Sequence, residues 1–529
     1  MCVEGAAMGV PEQRNPRAAK MAPGSFLAPR FPELQQRLGD VMALHRPGTT
    51  APHVRIELPS YSMAPSILAH YAPRLVGLEH RYLLAQLALP RIPGCEVVFV
   101  TCAAPGRDVL DYYFSLLPPE QRADASGRLR VLVVPDASPR PLTAKLLDRP
   151  DLVEELGRMV GGRPAFIEPW NVSPLEVELA CRLGVPVNGT DPMLWPLAFK
   201  SAGRRLLAQT GIPTPPGHED VHTVDDVVEA VAEIRARRRD VRGVVVKTDD
   251  SGAGDGNQTI HLGPGIDAAD IRRRVERFPD WYLSDLELGG VVEELVSGTR
   301  VTSPSVQVEI RAGAEPVVCS THEQVLGGPS GQVYYGCRFP ARRAYATQLG
   351  EYGRAVGEAL AARGAVGRFG VDFVATRSGR GRWDVFALEV NLRKGGTTHP
   401  LAALQALTSG SYDVRTGMWV CDDGSRRFYD ATDNLADPEW FGRAPGEVIR
   451  TVAAAGLEFD PETGTGVVLH MLSCLGVDGR LGLTAVGSVR SPDLRPGPRF
   501  AIHTKRTSAT LVIPQHESLG GSHEALPLW

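Results

Sequence analysis

A chain of 529 residues is too long for one hydrophobic core and calls for about three or four folding units at roughly 100–200 residues each. Its 43% apolar and 22% charged residues are those of an ordinary globular protein, and a net charge of −4 excludes a global basic field aimed at nucleic acid or an anionic membrane. Six lysines (20, 145, 200, 247, 394 and 505) stand among 57 basic residues, so a lysine is notable wherever it occurs in this arginine-rich chain. Eight cysteines, without a CxxC pair or a Cys/His cluster at zinc spacing, read as reduced structural thiols. The longest greasy stretch, 82–100, is broken by Arg91, two prolines and Glu96 and is no bilayer span. The expectation is a cytoplasmic protein.

In chain order, residues 1–30 have little apolar periodicity and read as a mobile arm. CEVVFVT (95–101), LRVLVVP (129–135), AFIEPW (165–170) and VPVNGT (185–190) read as strands, with helices at 150–160 and 174–183 between them. Strands alternating with helices predict a parallel α/β layer. A helix over 199–216 is stopped by Gly211 and Pro213, and a second, over 223–239, opens on a threonine cap with an aspartate pair. The stretch 241–262 predicts a strand, a glycine-rich turn and a strand. Strands follow at 290–296, 305–311 and 316–324, then a helix at 342–363 and a strand pair, RFGVDFVAT (368–376) with WDVFALEVN (383–391). Beyond about 425 the texture changes to VVLHML and GRLGLTAVGS, read as a small α+β module.

Several chemistries are excluded. No lysine follows a glycine as a Walker A loop requires, and the kinase HRD pattern and the GxSxG elbow are absent. The glycines of SGAGDGN (251–257) alternate between two strands and do not open a helix, which argues against a dinucleotide fingerprint. Such a loop lets backbone N–H groups approach phosphate oxygens, with Lys247 four residues earlier as a point charge, although hairpin tips of this composition are also common without a ligand. The spacing Glu389-x-Asn391 puts both side chains on one face of a strand, and Asp372 sits on the neighbouring strand. Two carboxylates and an amide oxygen suit Mg²⁺, and a glutamate in the apolar run VFALEVN is the kind of group that is paired or liganded. Arg393 and Lys394 open the turn RKGGTTHP (393–400), where a guanidinium stabilises an anionic intermediate. The acidic strand end VVEELVSG (291–298) offers backbone groups to an adenine edge. His399 and His470 read as structural, and the run 235–239 as a solvated helix end.

Taken in order, these elements resemble the ATP-grasp superfamily over about 185–400. They comprise a lysine opening a helix before GIPTP, a lysine before a glycine flap, an acidic hinge, and metal strands like GVDFV and LEVNLRKGG. VTSPSVQ, STHEQVL, YYGCRFP and EVNLRKGGTTHP are similar, more narrowly, to peptide ligases of the pheganomycin biosynthetic type, and the likeness extends over about 95–490. The resemblance implies an α/β fold with a pre-ATP-grasp α/β domain, two α+β subdomains sandwiching ATP, and a small C-terminal α+β module. The corresponding boundaries are 31–194, 195–410 and 411–500, with a tail at 501–529.

It further implies that Lys200 and Lys247 hold ATP phosphates under a flap containing Ser251, Gly252, Ala253, Gly254 and Gly256. Glu293, Glu294, Leu295 and Val296 would contact adenine, and Asp372, Glu389 and Asn391 would bind Mg²⁺. Arg393, with Arg338 as a further candidate, would sit by the transferred phosphate. Arg300 occupies the neighbourhood where related ligases carry an acidic ribose-binding residue, so no ribose contact is assigned. The implied reaction joins an amino-acid-type carboxylate to the N-terminus of a peptide through an acyl phosphate in natural-product biosynthesis, releasing ADP and phosphate. The implied partners are a small carboxylate and an amine or peptide acceptor, with a homodimer as a further expectation. The alternatives are ligation of two free amino acids or of a non-peptide amine, and a nucleotide-binding regulatory protein without turnover.

Overall fold

The computed structural model describes residues 30–63, 68–69, 71–251, 256–327, 333–379, 381–490, 499–503 and 508–512. The expected arm, most of the expected tail and the flap residues Gly252, Ala253 and Gly254 lie outside them.

The first layer is a parallel sheet of β1 (His53–Leu58), β2 (Cys95–Thr101), β3 (Leu129–Val133) and β4 (Ala165–Pro169), in the order β3-β2-β1-β4. The central strand β1 was not anticipated. Its sequence, HVRIEL, carries a buried Arg–Glu pair that hides its strand character. The expected strand at 185–190 reduces to a bridge between Ile167 and Val187. Helices Pro150–Val160 and Pro174–Leu183 form where the sequence predicts them. Val153, Leu156, Val160, Val177 and Ala180 from their apolar stripes pack with Val54, Ile56, Val98 and Leu132 of the sheet.

The second sheet is antiparallel, with order β5-β8-β6-β7: β5 (Gly217–His218), β6 (Gly243–Thr248), β7 (Asn257–His261) and β8 (Gly290–Glu294). Helix Val224–Arg237 covers it. Thr223 caps the helix by accepting from the Asp226 N–H in a capping box, and Val227, Val231 and Ile234 meet Val244, Val246 and Val292.

The third sheet is the largest. Strands β9 (Arg300–Ile310), β10 (Val317–Gly327), β11 (Val333–Phe339), β12 (Gly367–Arg377) and β13 (Asp384–Asn391) are joined by β14 (Gly410–Asp413), β15 (Met418–Cys421), β16 (Arg426–Ala436), β17 (Gly466–His470) and β18 (Arg480–Gly487). The path runs β13-β12-β9-β10-β11-β16-β15-β14, with β18 on β16 and β17 on β18. The boundary expected at 410/411 therefore falls inside one continuous sheet. A further pair, β19 (Arg499–His503) with β20 (Ser508–Val512), lies beyond it. Helix Ala346–Ala361 packs Leu349, Val356 and Leu360 against Val306, Val308 and Phe373. Among the described residues no helix is long and apolar enough to cross a membrane.

Candidate active site

Between the second and third sheets lies a cleft of about 970 Å³, lined by residues from β6, β8, β9, β11, β12, β13, β16 and β18. The two lysines singled out in the sequence meet there. Lys200 is the first residue of helix Lys200–Gln209, and its backbone N–H donates to the Asp249 carbonyl at 3.2 Å. Its ammonium, 7% exposed, is ion-paired with Glu389. Lys247, near the end of β6, pairs with Glu293 on the adjacent strand β8. Arg204, one turn along the helix that Lys200 opens, holds the same carboxylate. Burial pushes the Glu293 carboxyl up, but Lys247 and Arg204 outweigh it and hold the group below its ordinary value.

The Glu293 side chain is thus spent on aiming Lys247, a role its sequence pattern did not disclose. The hinge backbone is also partly committed: Glu294 N–H donates to the Pro216 carbonyl at 2.8 Å and Leu295 N–H to Gly243 at 2.9 Å. Leu295 and Val296 still line the cleft.

At the root of the flap, Ser251 Oγ donates to the Thr248 carbonyl at 2.7 Å, and Thr248 N–H to the Gly256 carbonyl at 3.1 Å. A Cβ on Gly256 would lie 2.3 Å from the Ser251 Cβ and 2.5 Å from the Thr248 Oγ, so only glycine closes this turn.

The acidic centre is built by the β12–β13 register, in which Asp372 and Glu389 are cross-strand partners beside a bulge at Asp372/Phe373. Asn391 Nδ2 donates to Asp372 Oδ2 at 3.0 Å and to Glu389 Oε1 at 3.2 Å, and Gln324 Nε2 on β10 donates to Asp372 Oδ1 at 2.6 Å. Burial, joined by the Glu389 charge, pushes the Asp372 carboxyl up. Glu389 is held down, against burial, chiefly by Lys200. Two carboxylates side by side in a half-buried place are costly unless a cation comes between them, and this oxygen-donor set fits a hard divalent ion.

Two residues past Asn391, the turn of Arg393 and Lys394 is fixed from the first layer. Lys394 Nζ reaches Glu168 on β4 at 2.8 Å and Glu57 on β1 at 3.5 Å, and its N–H donates to the Trp170 carbonyl at 3.1 Å. The Arg393 guanidinium lies over the Trp170 ring, 5.2 Å from its centroid. Neither Glu168 nor Trp170 carried a sequence signal toward the site. Arg338 on β11 stands opposite Asp430 on β16, its Nε 3.9 Å from Asp430 Oδ2. Arg300 is exposed at the rim. His399 and His470 lie away from these groups, their Nε2 atoms 3.1 Å apart, and both contact the buried carboxylate of Asp433.

All the predicted site residues that are described thus line one cleft or its flap root. Comparison with known proteins finds two family models. "IQCH-like, ATP-grasp" matches residues 269–415, and "PGM1 C-terminal domain" matches 447–490. The L-propargylglycine–L-glutamate ligase of Streptantibioticus cattleyicolor is 34% identical over 424 residues, covering 77% of this chain and 85% of that protein. IQ motif-containing protein H of Danio rerio is 24% identical over 434 residues, 70% of this chain, which spans 40% of that protein's length. Among solved structures, the biotin carboxylase–β,γ-ATP complex of Campylobacter jejuni superposes with a TM-score of 0.49 at 12% identity, over 83% of this chain and 88% of the other.

Proposed function

This chain belongs to the ATP-grasp ligases, a family of ATP-dependent enzymes, and we propose that it forms an amide between an amino-acid-type carboxylate and the amine of an amino acid or peptide through an acyl phosphate. The observation that carries this reading is the convergence of Lys200, Lys247, Asp372, Glu389 and Arg393 on one cleft. A carboxylate does not condense with an amine in neutral water, whereas its phosphoryl derivative has a leaving group. ATP supplies that phosphoryl group and leaves as ADP. The amine then attacks the acyl carbon, the C–O bond to phosphate breaks, and phosphate departs with the bonding pair.

In this reading Lys200 and Lys247 neutralise the ATP phosphates, and the flap rooted at Ser251 and Gly256 excludes water that would hydrolyse the acyl phosphate. The Leu295–Val296 edge receives the adenine. Asp372, Glu389 and Asn391 hold Mg²⁺, which when bound neutralises the phosphate oxygens so that the carboxylate can approach. Arg393, placed over Trp170, stabilises the anionic transferring group, with Arg338 in the same cleft as a second candidate. The resemblance to peptide ligases favoured a peptide N-terminus as acceptor. The relative whose name joins two amino acids favours two free amino acids as the second reading.

The test is product analysis with Mg·ATP, a panel of amino-acid carboxylates and hydroxylamine as acceptor. ADP, phosphate and a hydroxamate are expected, each dependent on the carboxylate. AMP and pyrophosphate would replace this mechanism with adenylation.

A further inference from the structure

Away from the cleft, two groups of side chains among the described residues bring three metal-ligating atoms together, and they differ in what stands behind the ligands. In the interior, His399, Asp433 and His470 converge through two Nε2 atoms and one carboxylate oxygen. A cation there would take both Nε2 lone pairs and drive the ring protons to the Nδ1 atoms. Neither Nδ1 has an acceptor, and Arg81 already pairs with the other Asp433 oxygen. That group holds a guanidinium, not a metal.

The second group lies at the far end of the first sheet from Lys394. β1 opens on His53 and β2 on Cys95, and the parallel register sets these two residues side by side. His45, at the end of helix Leu38–Leu44, closes the group from outside the strands. One nitrogen of each imidazole and Cys95 Sγ all lie within 4.8 Å of one another, and His45 Nδ1 is 3.1 Å from His53 Nε2. A tetrahedral ion at about 2.0–2.3 Å from each ligand needs them roughly 3.3–3.6 Å apart, so small side-chain shifts suffice.

Here the ring protons have places to go. His53 Nδ1 is 2.9 Å from the Ala51 carbonyl, which only accepts, so the proton sits on Nδ1 and Nε2 presents a lone pair. The segment carrying that carbonyl is fixed: Gly94 N–H donates to the Thr49 carbonyl at 2.8 Å, and a Cβ on Gly94 would lie 2.2 Å from the Ala51 oxygen. His45 is half-buried and its Nε2 is not sealed from water, so it can carry its proton there and turn the Nδ1 lone pair inward. The neighbouring guanidiniums are spent elsewhere. Arg55 donates to Glu57 at 2.5 and 2.8 Å, and Arg128 to the carbonyls of Leu89, Ile92 and Cys95.

We propose that His45, His53 and Cys95 bind one Zn²⁺, with water in the fourth position, as a structural clip on the first sheet. A thiolate beside two imidazoles selects a borderline-soft ion over Mg²⁺, so this site does not compete for the metal of the cleft. Binding replaces the S–H bond of Cys95 and the hydrogen bond between the imidazoles with three bonds to the ion, and the thiol proton passes to solvent. His53 and Glu57 stand near opposite ends of β1, roughly 13 Å apart. The ion therefore acts on the fold of the layer that carries Glu57 and Glu168, and not on the reacting atoms.

The test uses the full chain, freed of metal by a chelator and dialysed, with Co²⁺ as a spectroscopic substitute and Zn²⁺ as competitor. One Co²⁺ per chain is expected to give a thiolate-to-metal charge-transfer band in the near ultraviolet and tetrahedral bands in the visible, all erased by Zn²⁺. The sulfur band separates this site from Asp372 and Glu389 and from the His399, Asp433 and His470 group, which hold no sulfur. Cys95→Ser should remove that band. His45→Gln, at a half-buried position, should keep the fold and weaken Zn²⁺ binding about tenfold or more, since a lost ligand costs no less than a lost outer partner. Chelation should lower the thermal midpoint of the parent further than that of His45→Gln. No sulfur band with Co²⁺, a band that survives Cys95→Ser, or unchanged Zn²⁺ affinity in His45→Gln overturns the site.

Discussion

Two acidic centres in this molecule, one buried at Asp433 and one half-buried at Asp372 and Glu389, hold carboxylates to opposite ends. Around Asp433, one carboxylate is surrounded by donors. His470 Nε2 is 2.6 Å and His399 Nε2 3.0 Å from Oδ1, and Arg81, itself anchored to Tyr61 Oη at 2.8 Å, pairs with Oδ2. Burial opposes the charge, but His399, Arg81 and the hydrogen bonds of the imidazoles hold Asp433 well below the usual carboxylate range. Around Asp372, two carboxylates share a site, and one of them is pushed up. The first centre joins segments 81, 399, 433 and 470 through one carboxylate, while Arg81 Nε and the Nδ1 atoms of His399 and His470 make no hydrogen bond among the described residues. The second is left with an electrostatic cost that a cation removes. A buried acid therefore says little by itself; the ratio of acids to donors distinguishes a clamp from a binding site.

The sharpest way to break this comparison is Glu389→Gln. ADP formation should fall about 10²–10³-fold or more, and the thermal midpoint should fall as well, because the change also leaves the buried Lys200 ammonium without its carboxylate. Retained turnover would remove Glu389 from the site. Asp372→Asn should likewise impair turnover while leaving the midpoint equal or higher, since it relieves like-charge crowding.

Asp433→Asn should do the reverse. It strands Arg81 in the interior, and breaking such a pair costs about 3–5 kcal/mol. Differential scanning should show a clearly lower midpoint, with turnover assayed well below that midpoint retained within severalfold. A smaller effect is expected at the link between layers. Glu168→Gln weakens the hold on Lys394 and should lower kcat about tenfold with the KM for ATP little changed, because the turn carrying Arg393 is only loosened.

The smallest effect is in the pH dependence of stability. Burial holds His322 and His399 at about 3, from an ordinary 6.5. Between those values the unfolded chain binds protons that the folded chain refuses. Their contribution is therefore fully present above pH 6.5 and declines as pH falls toward 3. A midpoint that rises on acidification from pH 6.5 to 4.5 would contradict the buried, neutral assignment.

What the sequence disclosed follows from locality. The Glu-x-Asn pair and its partner strand, the lysine opening helix Lys200–Gln209, and the Thr223 cap are all written within about 20 residues, where period and spacing act directly. Strand β1 escaped because Arg55 and Glu57 interrupt its apolar run, and Glu57 besides pairing with Arg55 reaches Lys394, 337 residues away. The pairing of Glu293 with Arg204 and Lys247 was hidden for the same reason: an acidic pair at a strand end looks solvent-facing until the helix that covers it is in place. His399 and His470, read from the sequence as structural, meet in the interior, yet nothing local joins them to Asp433 and Arg81. Contacts across such separations carry no periodic signature.

The central claim is that a carboxylate oxygen becomes bonded to phosphorus before the amide forms, and ¹⁸O transfer tests it most directly. A donor amino acid labelled in its carboxylate is turned over with Mg·ATP and an accepted amine, and the inorganic phosphate is examined by mass spectrometry. One ¹⁸O per released phosphate is the predicted result. Label appearing in AMP, or phosphate released without label while amide accumulates, would contradict the account.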